Sequence, residues 1–250
     1  MDRFLREVRA DTLAVIVLAV LIIIGITSLV LLLRPTPVST NKSWYVRLLP
    51  LFAILGLPAV IDLLQTDGIT KVFAFLVLVV LLLNIIMPLL HLINKSPSVF
   101  VSNWHTWSVP VLIAGGLVVA GYLTYVEITA ATPVCGITIP GCVVVQTSPY
   151  ARLFGFLPIG VLGLVGYVAI LAAWLLAQFG AESYKKASSL AIWGLCFFGV
   201  IFSAYLTYLE PFVIRATCSW CITSAVFMIL LLWVSIPAAQ DFFIESQDED

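Results

Sequence analysis

The chain has 250 residues, 62% of them hydrophobic and only 10% charged, with a formal net charge of −1 and a mean hydropathy of +1.15. A soluble domain of this size is about a quarter charged, so this is an integral membrane protein with little room for a soluble domain, and nothing in its charge suggests nucleic acid. Five cysteines are too few for a disulfide-stapled scaffold, so their spacing is what informs.

Apolar runs of about 20 residues read as membrane spans. They fall at 12–33, 48–64, 72–93, 109–126, 157–179, 188–209 and 218–236. The first is too long for a signal-peptide core and lacks a small-residue cleavage site, so it reads as retained. The second is the weakest: it carries Pro50, Pro58 and Asp62, and reads as a short span or a re-entrant hairpin. Asp62 is notable because an intramembrane charge is expensive. A break at 94–108, with Trp104 and Trp107 suited to a membrane interface, separates two halves. Spans four to six hold eight glycines against two in spans one to three. Small residues let membrane helices pack closely, so the second half predicts a tight bundle and the first a peripheral, lipid-facing segment. The acidic stretch 241–250 predicts a disordered tail.

Within the second half a segment repeats. Y-L-T-Y-V-E at 122–127 returns 83 residues later as Y-L-T-Y-L-E at 205–210. Each copy is followed, eight residues after its Glu, by a cysteine (Cys135 after Glu127, Cys218 after Glu210), and each cysteine by a second, Cys142 and Cys221. Two spans separate the copies, so spans four and six run the same way and both pairs emerge on one face. The repeated Glu127 and Glu210 suggest a structural job such as capping. Lys and Arg counts tie at six on each side, so positive-inside counting does not orient the chain. Orientation follows from chemistry instead: paired cysteines persist as disulfides in oxidising, extracytoplasmic space.

Cys218-Ser-Trp-Cys221 is a C-x-x-C at the head of an apolar helix, with Thr217 as the predicted N-cap. A spacing of three places both sulfurs on one face of the first turn, and the helix N-terminus favours a thiolate. Trp220 offers either a flat surface for a ring or an interface anchor. Cys135 and Cys142 lie in a loop, 129–148, with Pro133, Gly136, Pro140 and Gly141. A loop dithiol beside a helix-borne one forms a workable exchange relay. Ser148-Pro149 reads as the start of a short helix over 149–154. Zinc is disfavoured because the first pair is spaced by six residues, so no metal is expected. Cys196 lies mid-span and reads as packing; His91 and His105 are unclustered. The competing reading is a polytopic transporter or channel with structural cysteines, its attraction being the seven runs and Asp62.

The four-span core, the loop pair Cys135/Cys142, the S-P-Y from Ser148 and the C-S-W-C heading the last span, in that order, resemble the vitamin K epoxide reductase family over about 109–236. The resemblance implies a four-helix bundle around a quinone; outside it lie about three further transmembrane helices (1–100) of unknown role and the acidic tail at 237–250, so the whole is expected to be an all-α integral membrane protein. The resemblance also implies that Cys221 engages the quinone, ubiquinone or menaquinone, with Cys218 resolving. Cys142 would pass electrons to Cys218 through an interloop disulfide, and Cys135 would exchange with a partner. Trp220 and Ser148 join Cys221 as residues expected at the quinone. In bacterial relatives the partner is a periplasmic thioredoxin-fold oxidase. Here it would be a separate protein, with the cysteines on the extracytoplasmic face of a bacterial cell membrane. Two departures tell against epoxide reduction. Ala225 stands where vertebrate members have a tyrosine that contacts vitamin K, and no asparagine stands near 159–160.

Overall fold

The structure is a computed structural model and describes residues 2–33, 43–66, 68–93, 104–135 and 139–248. In chain order it forms α1 (Asp2–Leu33), α2 (Ser43–Leu64), α3 (Ile69–Ile93), α4 (Trp104–Thr129), α5 (Ile139–Thr147), a 3-10 turn (Pro149–Ala151), β1 (Arg152–Leu153), β2 (Leu157–Pro158), α6 (Ile159–Phe179), α7 (Glu182–Leu209), a π turn (Glu210–Ile214) and α8 (Ser219–Asp248). Among the described residues six helices are long and apolar enough to cross a membrane, and the apolar part of α2, Leu48–Leu64, is shorter. The protein is an all-α integral membrane protein.

The centre of the molecule is α8. Its most apolar stretch is 72% buried, whereas those of α1, α3, α6 and α7 are 22–28% buried. A helix that is hydrophobic all round needs neighbours all round, and α8 has them in α1, α2, α4 and α7. Trp233 meets Phe52 of α2 edge-on at 5.1 Å. Gln240 donates to the Leu31 carbonyl of α1 at 2.9 Å, and Trp193 of α7 donates to Ser28 of α1 at 2.7 Å. The N-terminal helices are therefore not merely peripheral: α1 and α2 cover α8, while α6 is as exposed to lipid as α1 or α3.

Several local expectations change. α2 is one continuous helix despite its two prolines, so the hairpin alternative falls. The second half of the predicted cysteine loop is α5, which carries Cys142. The helix predicted at 149–154 is a single 3-10 turn. Phe154 and Gly155 then adopt positive φ and turn the chain into the β1–β2 hairpin, a conformation that ends any helix there. The acidic tail continues α8 as helix to Asp248, held at its start by buried Ile236, Ala239 and Gln240. Asp11 of α1 and Asp62 of α2 both hydrogen-bond residues beside Cys218. The N-terminal end of α1 thus lies on the cysteine face.

Glycines set the closest crossings. A Cβ on Gly116 of α4 would fall inside the ring of Tyr167 on α6, which is fully buried and whose hydroxyl donates to the Ser224 carbonyl of α8 at 3.2 Å. Gly116→Ala is expected to destabilise the protein by about 1–3 kcal/mol through overpacking. Gly194→Ala, with no atom within 4 Å of the added carbon, should leave stability nearly unchanged. Thermal unfolding in detergent checks the pair.

Candidate functional site

The site forms where the head of α8 meets the ends of α4 and α7 and the helix α5. The first N–H groups of a helix have no partner within it, and in a membrane leaving one unpaired is costly. The repeat supplies partners twice. Glu210, ending α7, accepts the Cys218 N–H on Oε2 at 3.0 Å; Glu127, near the end of α4, accepts the Gly160 N–H at the start of α6 on Oε2 at 2.7 Å. The two copies thus do the same job, each capping the next membrane helix.

Cys218 is itself the first residue of the α8 cap. Its carbonyl accepts the Ile222 N–H at 3.0 Å; burial raises its thiol, but hydrogen bonding from Cys221, Gln146 and the Trp220 backbone outweighs this and holds the group below its usual range. Donors converging on one sulfur favour charge there. Thr217 does not cap the helix as predicted: its hydroxyl donates to Asp11 at 3.0 Å. Ser219 donates to Asp62 at 2.6 Å, so the intramembrane carboxylate noticed in the sequence serves the head of α8 rather than a pore. Neither aspartate contact is visible from periodicity.

Cys135 and Cys142 are joined as a disulfide, with Cα atoms 6.3 Å apart, while Cys218, Cys221 and Cys196 are free. The disulfide is pressed onto α8 from both ends. Val134 donates its N–H to the Tyr122 hydroxyl at 2.8 Å and accepts from the Trp220 indole at 3.0 Å, and the Tyr122 and Trp220 rings lie 4.5 Å apart. Gly141 approaches the Thr217 carbonyl so closely that a Cβ would sit 2.5 Å from its oxygen. Residues beside Cys142 and Cys218 are therefore in direct contact. Gln146, one turn beyond Cys142, reaches both sulfurs of the C-x-x-C, Cys221 at 3.7 Å and Cys218 at 4.0 Å. Nothing in the sequence marks Gln146 beyond its position four residues after Cys142, which on a helix places the two on one face.

Next to the sulfurs lies an apolar cavity of about 150 Å³. Gly160, Gly163 and Gly166 of α6 line it at intervals of three; Gly160 packs tightly on α4, where a Cβ would meet the Thr124 nitrogen at 2.7 Å, whereas no atom lies within 4 Å of a Cβ built on Gly166, which leaves room in the cavity. Cys221, Glu127, Glu210, Gln146, Ser148 and Ala225 also line it. Cys218 and Trp220 do not. Trp220 is fully buried between Tyr122 and the Val134 carbonyl, so the structure gives it the loop to hold, not a ring in the cavity. Ser148 faces the cavity but its hydroxyl donates to the Val145 carbonyl at 2.7 Å. Gln146 keeps a buried Oε1 with no hydrogen-bond partner among the described residues.

A disulfide abutting a helix-capped C-x-x-C, beside an apolar cavity in a membrane bundle, defines a membrane thiol–disulfide oxidoreductase. The family model described as "Vitamin K epoxide reductase family" matches residues 107–236, and the chain belongs to that family. No solved structure matches the chain.

The contact at Gly141 is testable. Gly141→Ala must push α5 off the Thr217 carbonyl. Misplacing reacting groups by about 1 Å can cost on the order of 100-fold, so formation of a Cys142–Cys218 bridge should slow by about tenfold or more. Timed alkylation and mass mapping of the cysteines reads the rate.

Proposed function

We propose that the protein passes electrons from a reduced extracytoplasmic thioredoxin-fold partner to a membrane quinone, and so sustains disulfide formation outside the cell. The carrying observation is the division of labour at the C-x-x-C: Cys221 lines the apolar cavity, whereas Cys218 sits next to the residue that Gly141 touches. Cys135 would take up the partner's electrons by exchange, opening its bond to Cys142. The Cys142 thiolate would then pass them to Cys218 through a mixed disulfide, in the oxidised state of the C-x-x-C.

The cavity residues fit a quinone. Gly166 leaves room for a flat group, and the partnerless Gln146 Oε1 is an acceptor for a ligand hydroxyl. A bound quinone supplies a two-electron acceptor, ubiquinone or menaquinone. The protein's part is to present Cys221 to it and to keep water away from the sulfurs. Ala225 lines the cavity with no polar side-chain atom where vertebrate members carry tyrosine. This supports quinone reduction rather than epoxide reduction.

Purified protein given a reduced dithiol partner should consume a short-chain quinone, and Cys218→Ala or Cys221→Ala should abolish this; unchanged turnover in either variant sinks the reading. In the double variant Cys135→Ser/Cys221→Ser, mass mapping should find a trapped Cys142–Cys218 bridge. Gly166→Leu, which fills the cavity, should lower quinone reduction by about tenfold or more while exchange with the dithiol partner continues. A tenfold loss corresponds to about 1.4 kcal/mol.

A further inference from the structure

Two carboxyl groups in this cavity have no task beyond capping, and their number matches a need of the reaction. Oxidising a dithiol with a quinone forms one S–S bond, moves two electrons to the acceptor and places two protons on its two carbonyl oxygens, giving a hydroquinone. Two thiol protons are lost in the same event. In an apolar cavity these protons need carriers.

Glu210 is 2% exposed and lines the cavity. Its Oε2 holds the Cys218 N–H at 3.0 Å, and Cys221 lines the same cavity. The carboxyl group therefore sits at the C-x-x-C itself. Moving a proton from the Cys221 thiol to an ionised Glu210 leaves the pair with one negative charge before and after, so no additional charge has to be buried. Glu127 lines the same cavity from α4. It is held by the Gly160 N–H at 2.7 Å. Glu127 is half-buried and the residues after it, Ile128 to Ala130, are exposed, which puts it at the cysteine-face end of α4.

We propose that Glu210 is the general base for the Cys221 thiol and that Glu127 is the second proton carrier, so that each copy of the repeat delivers one proton to the acceptor. The Cys221 proton passes to Glu210 and on to one acceptor oxygen. The Cys218 proton leaves to water on the cysteine face, and Glu127 brings an equal proton from that face to the second oxygen. The groups facing Glu210 are Cys218 and Cys221 on α8 and Asp11 on α1, with Arg215 closing the π turn behind it. The Glu127 part rests on the quinone reading above; the Glu210 part does not.

The test uses full-length protein in detergent with the C-x-x-C reduced. Alkylation of Cys221 by N-ethylmaleimide, read by mass without any quinone, is followed from pH 6 to 8. An internal base should make the rate nearly flat in wild type. In Glu210→Gln the amide oxygen can still accept the Cys218 N–H, but hydroxide must remove the proton, so the rate should rise about tenfold per pH unit. Glu210→Asp should restore part of the flat profile, and thermal unfolding confirms that the variants are folded. With dithiothreitol as donor, Glu210→Gln and Glu127→Gln should each lower short-chain quinone reduction by about 100-fold, Glu127→Gln leaving the alkylation profile flat. A flat profile with wild-type turnover in Glu210→Gln overturns the assignment. Wild-type protein that reduces no quinone, yet shows the steep profile in Glu210→Gln, overturns the quinone reading and the Glu127 role while supporting Glu210 as the base.

Discussion

The structure depends on satisfying the buried head of α8. A helix that starts inside a membrane protein presents several N–H groups without partners in its own backbone. Here the Cys218 N–H is taken by Glu210, and hydrogen bonding from the N–H groups of Trp220 and Cys221 favours charge on the Cys218 sulfur. The hydroxyls on either side are taken by Asp11 and Asp62. The same requirement that stabilises the fold therefore concentrates donors on one sulfur. A cysteine in the cap position thus joins the helix terminus to the dithiol chemistry.

That constraint also accounts for the N-terminal helices. They lie outside the region matched by the family model, yet α1 and α2 pack along α8 and deliver a carboxylate each to its head. With them in place the most apolar stretch of α8 is more buried than that of any other candidate span. Asp62, the residue that made a transport role attractive, has a local reason to exist that requires no pore.

The cysteine helix α5 is held by contact rather than by local sequence. Val134 is clamped through both of its backbone groups by Tyr122 and Trp220, and Gly141 lies on the Thr217 carbonyl. Tyr122 is the first residue of the first repeat copy, so this copy helps seat the disulfide while its Glu127 caps α6. The second copy differs: its Tyr205 is exposed, and its glutamate sits on the C-x-x-C. One repeated segment thus acquires two surroundings, because only one of its helices is followed by α5.

By itself the sequence determined the membrane class, most of the spans, the pairing of cysteines across a repeat and their emergence on one face. Each rests on something local or on parity: apolar runs of bilayer length, and two intervening spans that restore direction. Tertiary structure decided which cysteine lines the cavity, that Trp220 holds the loop, that Gln146 reaches both sulfurs, and that Asp11 and Asp62 serve the head of α8. Residues 72 and 75 positions apart, as Gln146 is from Cys218 and Cys221, meet only when the helices pack. Periodicity reports which face a residue occupies along its own helix; what that face meets depends on close crossings, such as Gly116 under Tyr167, that exist only in the assembled bundle.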